Sequence, residues 1–269
     1  MKPPLHFFPS ALLTLTLLIS RGFAQDAAPN AQEIASRINT TLQDGSSSAR
    51  VKMEIKPSVD GAKTVLQLQI KTRRTATTTD IIYQVLWPKE RKGESILLHK
   101  TSNQAATGTV FTPPNSMKTL TAAQMKDGVF GSDLSYEDLV GNFFAWENQA
   151  IVGTETVDRI PCQILESKPG KNDYSAYTKV RSWIDVKKLV PMRIEKHLAS
   201  GQMERRINTT RVAKNDADRP VPATLVVQRA GSDSVTELEG SKSRYDVTCK
   251  DADFTQEALR SLSTPAAQP

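Results

Sequence analysis

Cysteine, histidine and aromatic residues are scarce in this sequence, and their scarcity argues against several kinds of site. The chain has two cysteines and three histidines, and aromatic residues make up 6% of it. His99 and His197 fall in strand patterns without a second histidine, a cysteine or a carboxylate at ligand spacing, so we expect no metal site. Because the sequence also lacks a Gly-x-Ser-x-Gly elbow, a Walker loop and a dinucleotide fingerprint, we expect no catalytic residues and no cofactor.

An excess of charge of one sign is also nearly absent. The formal net charge is +6, and the lysines and arginines are spread along the chain without a dense run. Such a weak basic bias fits solvated strand edges and loops better than an anionic partner. No RNP-like, zinc-finger or helix-turn-helix pattern occurs, so the sequence predicts no nucleic-acid partner.

Residues 1–24 have the pattern of a cleaved signal peptide. Lys2 precedes an apolar run at residues 11–19 that is too short to span a bilayer, and Gly22-Phe23-Ala24 supplies small residues at the cleavage positions. We expect cleavage after Ala24, with an uncleaved anchor as the alternative. Since Gln25 rather than cysteine would follow the cut, no lipid anchor is expected, and the protein is predicted to be free in the periplasm.

The remainder is predicted to form a single mainly β domain at residues 31–262, between a flexible start at residues 25–30 and a disordered tail at residues 263–269. Ile34, Ile38 and Leu42 share one helical face and predict a first helix. From residue 50 the apolar period becomes two, which is typical of half-buried antiparallel strands. The candidate strands are residues 50–56, 63–71, 80–87, 94–100, 108–112, 150–156, 160–167, 176–186, 190–198, 202–212, 223–229 and 234–247.

Three further segments have a helical pattern: residues 120–125, 135–144 and 255–262. In the second of them Ser135 fits an N-cap, and Glu137 and Asp138 provide an acidic first turn. These two carboxylates could be proposed as an acid–base pair, but adjacent residues on a helix do not face each other, which favours capping over catalysis. A sheet of ten or more strands must curl, or split into two layers, to bury its apolar face.

Cys162 and Cys249 leave two alternatives open. In an oxidising compartment the two thiols could form one disulfide, which would stabilise the fold by roughly 4 kcal/mol through its long loop. They could equally be two separate buried thiols. Their spacing excludes a Cys-x-x-Cys redox motif.

Residues 131–139, Gly-Ser-Asp-Leu-Ser-Tyr-Glu-Asp-Leu, resemble the signature of the outer-membrane lipoprotein-sorting proteins, a LolA-like family. Similar flanking pieces are Trp87-Pro88, residues 91–100, 158–162, 181–185, 189–195 and 244–247. The resemblance covers roughly residues 34–262. The signature positions that match are Gly131, Ser132, Asp133, Ser135, Tyr136, Glu137, Asp138 and Leu139. Two departures are Leu134, where the family has phenylalanine, and residues 105–114, which lack the usual aromatic stretch.

What the resemblance implies is a strongly curved antiparallel half-barrel whose concave apolar face is covered by helical lids. Its members look like carriers or sensors of lipidated molecules, so the implied partners are lipid or lipoprotein acyl chains and an inner-membrane transporter. The leading hypothesis is a non-enzymatic periplasmic carrier moving acyl chains toward the outer membrane. The alternative is a sensor or accessory module of an envelope complex, which binds lipid without transferring it.

Period-two alternation selects the residues that would line the concave cavity, with plain sheet core as the competing role for each of them. These residues are Leu66, Leu68, Ile70, Ile81, Tyr83, Val85, Met192, Ile194, Leu225 and Val227. The candidates for the inner face of the lid, with ordinary helix packing as the alternative, are Leu139, Val140, Phe143 and Phe144.

Overall fold

The computed structural model describes residues 30–42, 45–57, 61–75, 77–245 and 247–261. The predicted signal peptide, the predicted flexible start up to residue 29 and the predicted tail lie outside the described residues. No helix within these ranges is long and apolar enough to cross a membrane.

The described elements are three α-helices, thirteen strands and short 3₁₀ turns. The helices are α1 (Ala31–Leu42), α2 (Tyr136–Val140) and α3 (Gln256–Ser261). The strands are β1 (Gly45–Lys56), β2 (Thr64–Arg74), β3 (Thr78–Trp87), β4 (Ser95–Thr101), β5 (Thr107–Thr112), β6 (Ser116–Thr119), β7 (Asn148–Val157), β8 (Ile160–Lys168), β9 (Lys179–Asp185), β10 (Val190–His197), β11 (Met203–Lys214), β12 (Pro220–Arg229) and β13 (Val235–Tyr245).

All thirteen strands form one antiparallel sheet made of two meanders. The strand order is β6-β5-β4-β3-β2-β1-β13-β12-β11-β10-β9-β8-β7. Strands β1–β6 run in order from the centre of the sheet to one edge. Strands β7–β13 then run in order from the opposite edge back to the centre. Pairing of β1 with β13 joins the two meanders. The segment at residues 120–147 therefore has to cross a whole face of the sheet to connect β6 to β7, and we call it the crossover.

Contacts of the crossover show that the sheet curls around it. Strands β4 and β10 are seven positions apart, so a flat sheet would separate them by roughly 34 Å. Helix α2 has five residues and is only about 7.5 Å long. Nevertheless α2 contacts β4, and its Asp138 lies 2.7 Å from Lys196 of β10. The crossover thus lies on the concave face of an open, curved sheet.

Alternation along the strands sorts the apolar residues between the two faces. On the concave face, the crossover residues Val129 and Val140 pack against strands β1–β4, and α1 packs with Phe143 and Phe144 over strands β8–β10. Helix α3 lies on the convex face instead, where Leu259 packs with Ile82 and Phe111. The crossover and α1 are therefore the elements positioned to cover the concave surface.

The prediction of a mainly β, curved antiparallel sheet with few helices is confirmed. The second helical segment is shorter than predicted: α2 ends at Val140, because Gly141 takes an extended backbone conformation with ψ at 139°. Strand β6 was not predicted. Its four residues are largely exposed, and so short an edge strand leaves almost no alternation to detect.

Candidate functional site

Between the crossover and the concave face of the sheet lies a partly open apolar cavity of about 230 Å³. Strands from both meanders contribute to its wall, and the crossover covers part of it. The lining residues are Val51, Met53, Leu68, Ile70, Tyr83, Leu134, Leu139, Pro222, Ala223, Leu225, Leu238 and Gly240. The side chains of the wall are apolar except for the phenol of Tyr83, so the cavity suits an apolar ligand.

Strand register explains why these residues meet. Val51 pairs with Leu68 across β1 and β2, and Val51 pairs with Gly240 across β1 and β13. Ile70 pairs with Tyr83 across β2 and β3. Because directly paired residues of an antiparallel sheet point to the same side, each row presents apolar side chains to the concave face.

Most of the predicted cavity residues lie on this face, but only some of them line the cavity. Leu68, Ile70, Tyr83 and Leu225 do so. Others pack in the surrounding core and do not line the cavity. Among these, Leu66, Ile81 and Val85 belong to the cluster under the crossover, Val227 is fully buried, and Ile194 packs on the cluster around α1.

Met192 lies outside the cavity. The pairing of β10 with β9 shifts register between Pro191 and Arg193, so Met192 is an extra residue in a bulge. It packs with Trp183 and Cys162 on the convex side of the sheet. The bulge interrupts the alternation on which the prediction depended.

The four candidate lid residues divide between two places. Leu139 lines the cavity, and Val140 is fully buried in the core beside it. Phe143 and Phe144 pack under α1, with ring centroids 4.4 Å apart. Only Leu139 of this set, joined by Leu134, meets the open space.

Sequence reasoning missed seven of the cavity residues. Val51, Met53 and Leu238 follow the period-two pattern of their strands, and that signal could have found them. Gly240, Pro222 and Ala223 carry little or no apolar side chain, so alternation of hydrophobic residues does not mark them. Leu134 reaches the cavity through the path of the crossover, which no local pattern reveals.

Asp138, in the signature segment, is the centre of a buried polar network. Its side chain is fully buried, with Oδ1 2.7 Å from Nζ of Lys196 and Oδ2 2.8 Å from Nε of Arg205. The hydroxyl of Tyr177 donates to Oδ1 at 2.8 Å, and the backbone N–H of Ser135 donates to Oδ2 at 2.8 Å. Burial alone would raise the pKa of Asp138, but the charges of Lys196 and Arg205 outweigh it and hold this pKa below its usual value.

Asp133 makes a second attachment to the sheet. Its carboxylate accepts hydrogen bonds from the hydroxyls of Ser234 and Thr236 at the start of β13, and its backbone carbonyl accepts one from Nε of Arg205 at 2.8 Å. Together with Asp138, this residue fastens the crossover to β10, β11 and β13. The acidic residues of the signature therefore hold the crossover in place above the cavity.

Glu137 points away from the network. Its Oε1 accepts hydrogen bonds from the Ser175 hydroxyl at 3.0 Å and from the Ala176 N–H at 2.6 Å, in the loop before β9. Ser135 accepts the Asp138 N–H at 3.1 Å in a capping box, so the predicted N-cap is confirmed. The two adjacent carboxylates thus have separate partners, and each is occupied by a structural contact.

Across the residues that the structure describes, neither His99 nor His197 belongs to a cluster of three or more potential metal ligands. Nδ1 of His99 lies 2.6 Å from Oδ1 of Asp80 on the convex face, and Nδ1 of His197 lies 3.3 Å from the carbonyl oxygen of Gly201. Within the described ranges, no group of three or more histidine, cysteine, aspartate or glutamate side chains is arranged to hold a metal ion.

Both cysteines are free thiols, Cys162 buried and Cys249 partly exposed. Burial raises the pKa of the Cys162 thiol. We expect protein unfolded without reductant to take up two iodoacetamide groups per chain by mass spectrometry. In the folded protein Cys249 should react first, because thiolate formation at Cys162 is suppressed. An unlabelled chain would instead establish the disulfide alternative.

Comparison with known proteins gives one family model and several solved structures. The model, described as "Uncharacterized protein", matches residues 77–261. A DUF1329 family protein from Desulfovibrio piger has a TM-score of 0.77 at 21% identity, covering 85% of this chain and 97% of its own. No curated protein matches the sequence.

Two further structures share the architecture. A putative outer membrane lipoprotein-sorting protein domain from Vibrio parahaemolyticus has a TM-score of 0.75 at 19% identity, covering 86% of this chain and 98% of its own. A LolA superfamily protein from Nitrosomonas europaea has a TM-score of 0.68 at 20% identity, covering 86% and 100%. At these identities the likeness shows a shared, LolA-like fold.

Proposed function

Since the chain belongs to the family of uncharacterized proteins whose model spans residues 77–261 and has a LolA-like fold, we propose that it is a periplasmic carrier of lipid or lipoprotein acyl chains. The observation that carries the proposal is the apolar cavity of about 230 Å³ between the curved sheet and the crossover. The carrier binds an acyl chain by apolar burial, without a cofactor or a catalytic step, and moves it across the envelope toward the outer membrane.

Burial of an acyl chain in an apolar cavity offsets the free-energy cost of exposing that chain to water. An acyl chain in water costs about 0.8 kcal/mol per methylene, which is roughly 12 kcal/mol for a sixteen-carbon chain. A carrier has to hide most of that surface during transit. The lining residues supply the hydrocarbon surface for it, with Met53, Leu68 and Leu238 on the sheet side.

We infer from the size of the cavity that side chains of the crossover move when a whole acyl chain binds. Sites for drug-sized ligands have volumes of about 300–1,000 Å³, whereas this cavity has about 230 Å³. Leu134 and Leu139 close it with apolar side chains. An acyl chain can replace their contacts with the sheet without leaving a polar group unpaired, so rotation of these two side chains is the least costly way to enlarge the cavity.

The buried network favours a second candidate function. Asp138 with Lys196 and Arg205 anchors the crossover at α2 in a site shielded from water, and this anchoring limits how far the crossover can open. A protein that binds a lipid and retains it would act as a sensor or accessory module of an envelope complex, such as an inner-membrane transporter.

Lipid transfer between vesicles separates the two functions. With donor vesicles that contain a self-quenched fluorescent phospholipid and acceptor vesicles that lack it, the purified protein is expected to accelerate dequenching in proportion to its concentration. A carrier accelerates transfer because it shields the chain in water, while a sensor binds the probe and leaves the rate unchanged.

Native mass spectrometry of protein purified from its host provides the matched check on binding. We expect an adduct of lipid mass that is removed by an organic extraction. Protein that carries no adduct and binds no added lipid would contradict both functions. A hydrolytic function would need Glu137 and Asp138. Lipid cleavage that persists when both residues are replaced by alanine would exclude them as catalytic residues.

A further inference from the structure

A polar row crosses the concave face where strands β2 and β4 end and strand β3 begins. Arg74 pairs with Thr79, and Thr79 pairs with Lys100. Since paired residues point to the same side, and Ile81 and Leu98 two positions further along are concave core residues, the row belongs to the concave face. The row places two cations and a hydroxyl beside the apolar side chains of the concave face.

Arg74 and Lys100 differ in how their charges are compensated. Lys100 donates to the carbonyl oxygen of Tyr174 at 2.9 Å, and the negative charges of Glu137 and Asp173 act on it. Arg74 donates one hydrogen bond, to Oγ1 of Thr79 at 3.2 Å. In the part of the chain that the structure describes, no carboxylate lies within ion-pair distance of Arg74.

This arrangement leaves most of the binding capacity of Arg74 unused. A guanidinium group has five N–H donors in a planar fork that matches a phosphate or a carboxylate. Burial lowers the pKa of Arg74 to about 10, so the group is still charged at neutral pH. A half-buried cation without a counter-ion is costly, and an anionic ligand group would remove that cost.

The hydroxyl of Tyr83 connects the cation to the cavity. Tyr83 lines the cavity. Burial raises the pKa of Tyr83 to about 12, while the positive charge of Arg74 acts in the opposite direction. The phenol therefore remains protonated at neutral pH and can donate a hydrogen bond. The positive charge of Arg74 interacts with it electrostatically.

We propose that Arg74, with the hydroxyls of Tyr83 and Thr79, binds the acidic headgroup of the lipid whose hydrocarbon chain occupies the apolar cavity. The inference rests on the proposed lipid-binding function and specifies its ligand as an anionic lipid that carries a phosphate or a carboxylate. An apolar cavity with a few convergent polar groups at one end fixes both the chemistry and the direction of such a ligand.

The test compares three probes with the same sixteen-carbon chain below their micelle concentrations: hexadecyl phosphate, palmitate and hexadecanol. Wild-type protein is expected to bind the two anionic probes at least tenfold more tightly than hexadecanol, since a charge-assisted hydrogen bond contributes about 1.5–3 kcal/mol. Arg74→Gln should remove this preference and leave hexadecanol binding unchanged. Its melting temperature should stay the same or rise, because an unpaired cation is removed.

Lys71→Gln is the matched control. It removes the same charge from β2, but Lys71 faces Asp253 on the convex side, so the preference should persist. Equal binding of all three probes by wild-type protein would overturn the headgroup site and leave the carrier proposal standing. Binding of none of them would overturn both. Displacement of hexadecyl phosphate by equimolar inorganic phosphate would assign the site to free phosphate and overturn the lipid assignment.

Discussion

Replacing Asp138 with alanine is expected to lower the free energy of unfolding by about 3–5 kcal/mol, which is the usual cost of removing one partner from a buried ion pair. The carboxylate is fully buried between Lys196 and Arg205. Its loss removes the ion-pair partner that Lys196 has among the described residues, and it leaves Arg205 with only the more exposed Glu204. Ser135 and Tyr177 lose a hydrogen-bond acceptor at the same time. Urea unfolding followed by circular dichroism measures the change.

Two further variants distinguish the charge of Asp138 from its shape. Asp138→Asn keeps the size of the side chain and removes the charge. It should therefore lower the free energy of unfolding by most of the amount expected for Asp138→Ala. Glu137→Gln is the matched control, because in the described part of the chain Glu137 accepts hydrogen bonds from neutral groups, and it should cost about 1 kcal/mol. If Asp138→Asn and Glu137→Gln lowered the free energy of unfolding by the same amount, a special role for Asp138 would be contradicted.

The pH dependence of the Asp138→Asn effect follows from the lowered pKa of Asp138. A carboxyl group whose pKa is lower in the folded protein stabilises it fully above the pKa of the unfolded chain, and the contribution is lost as pH falls through the folded pKa. The stability difference between wild type and Asp138→Asn should therefore be constant near neutral pH and narrow below about pH 4.

The strands could be predicted from the sequence because alternation is a local property. In β2, β3 and β12 each inward residue is followed by an outward one, and the predicted residues Leu68, Tyr83 and Leu225 do line the cavity. Such a pattern needs only a few neighbouring residues to be visible. It fails at Met192, where a bulge adds one residue and changes the phase of β10.

The arrangement above the cavity could not be predicted in the same way. Asp138 contacts Lys196 and Arg205, which are 58 and 67 positions later in the sequence. These contacts depend on the order of strands in the sheet and on its curvature, neither of which leaves a local mark. The resemblance identified the signature as informative, but its residues alone suggested helix capping, and the ion pairs with β10 and β11 appear only in the structure.

The attachments of the crossover are unequal on its two sides, and this asymmetry links the fold to the proposed function. Asp133 and Asp138 fasten it to β10, β11 and β13 through ionic and hydrogen-bonded contacts. Toward the cavity it presents Leu134 and Leu139. Apolar contacts can slide or be exchanged for those of a ligand, whereas a buried ion pair resists separation. The crossover can therefore yield over the cavity while it stays attached to the sheet.

Filling the cavity from the sheet side is the most direct test of its role, and Gly240 offers the position. Gly240 lines the cavity, and a Cβ added there would meet only the Ala223 carbonyl oxygen, at 3.6 Å. Gly240→Leu would occupy the space of about four methylenes, which is worth roughly 3 kcal/mol of apolar burial. We expect acyl-chain affinity, measured by titration with a fluorescent fatty acid, to fall about a hundredfold.

Gly153→Leu supplies the matched control for this substitution. Gly153 lies in the edge strand β7, where an added Cβ would meet Cδ1 of Ile164 at 3.7 Å, and it does not line the cavity. Neither variant should have a lower melting temperature than the wild type, because leucine restricts the unfolded chain more than glycine does. Gly240→Leu protein that is stable and binds acyl chains as tightly as Gly153→Leu protein would place the ligand elsewhere, because no acyl chain can share the cavity with a leucine at no cost in affinity.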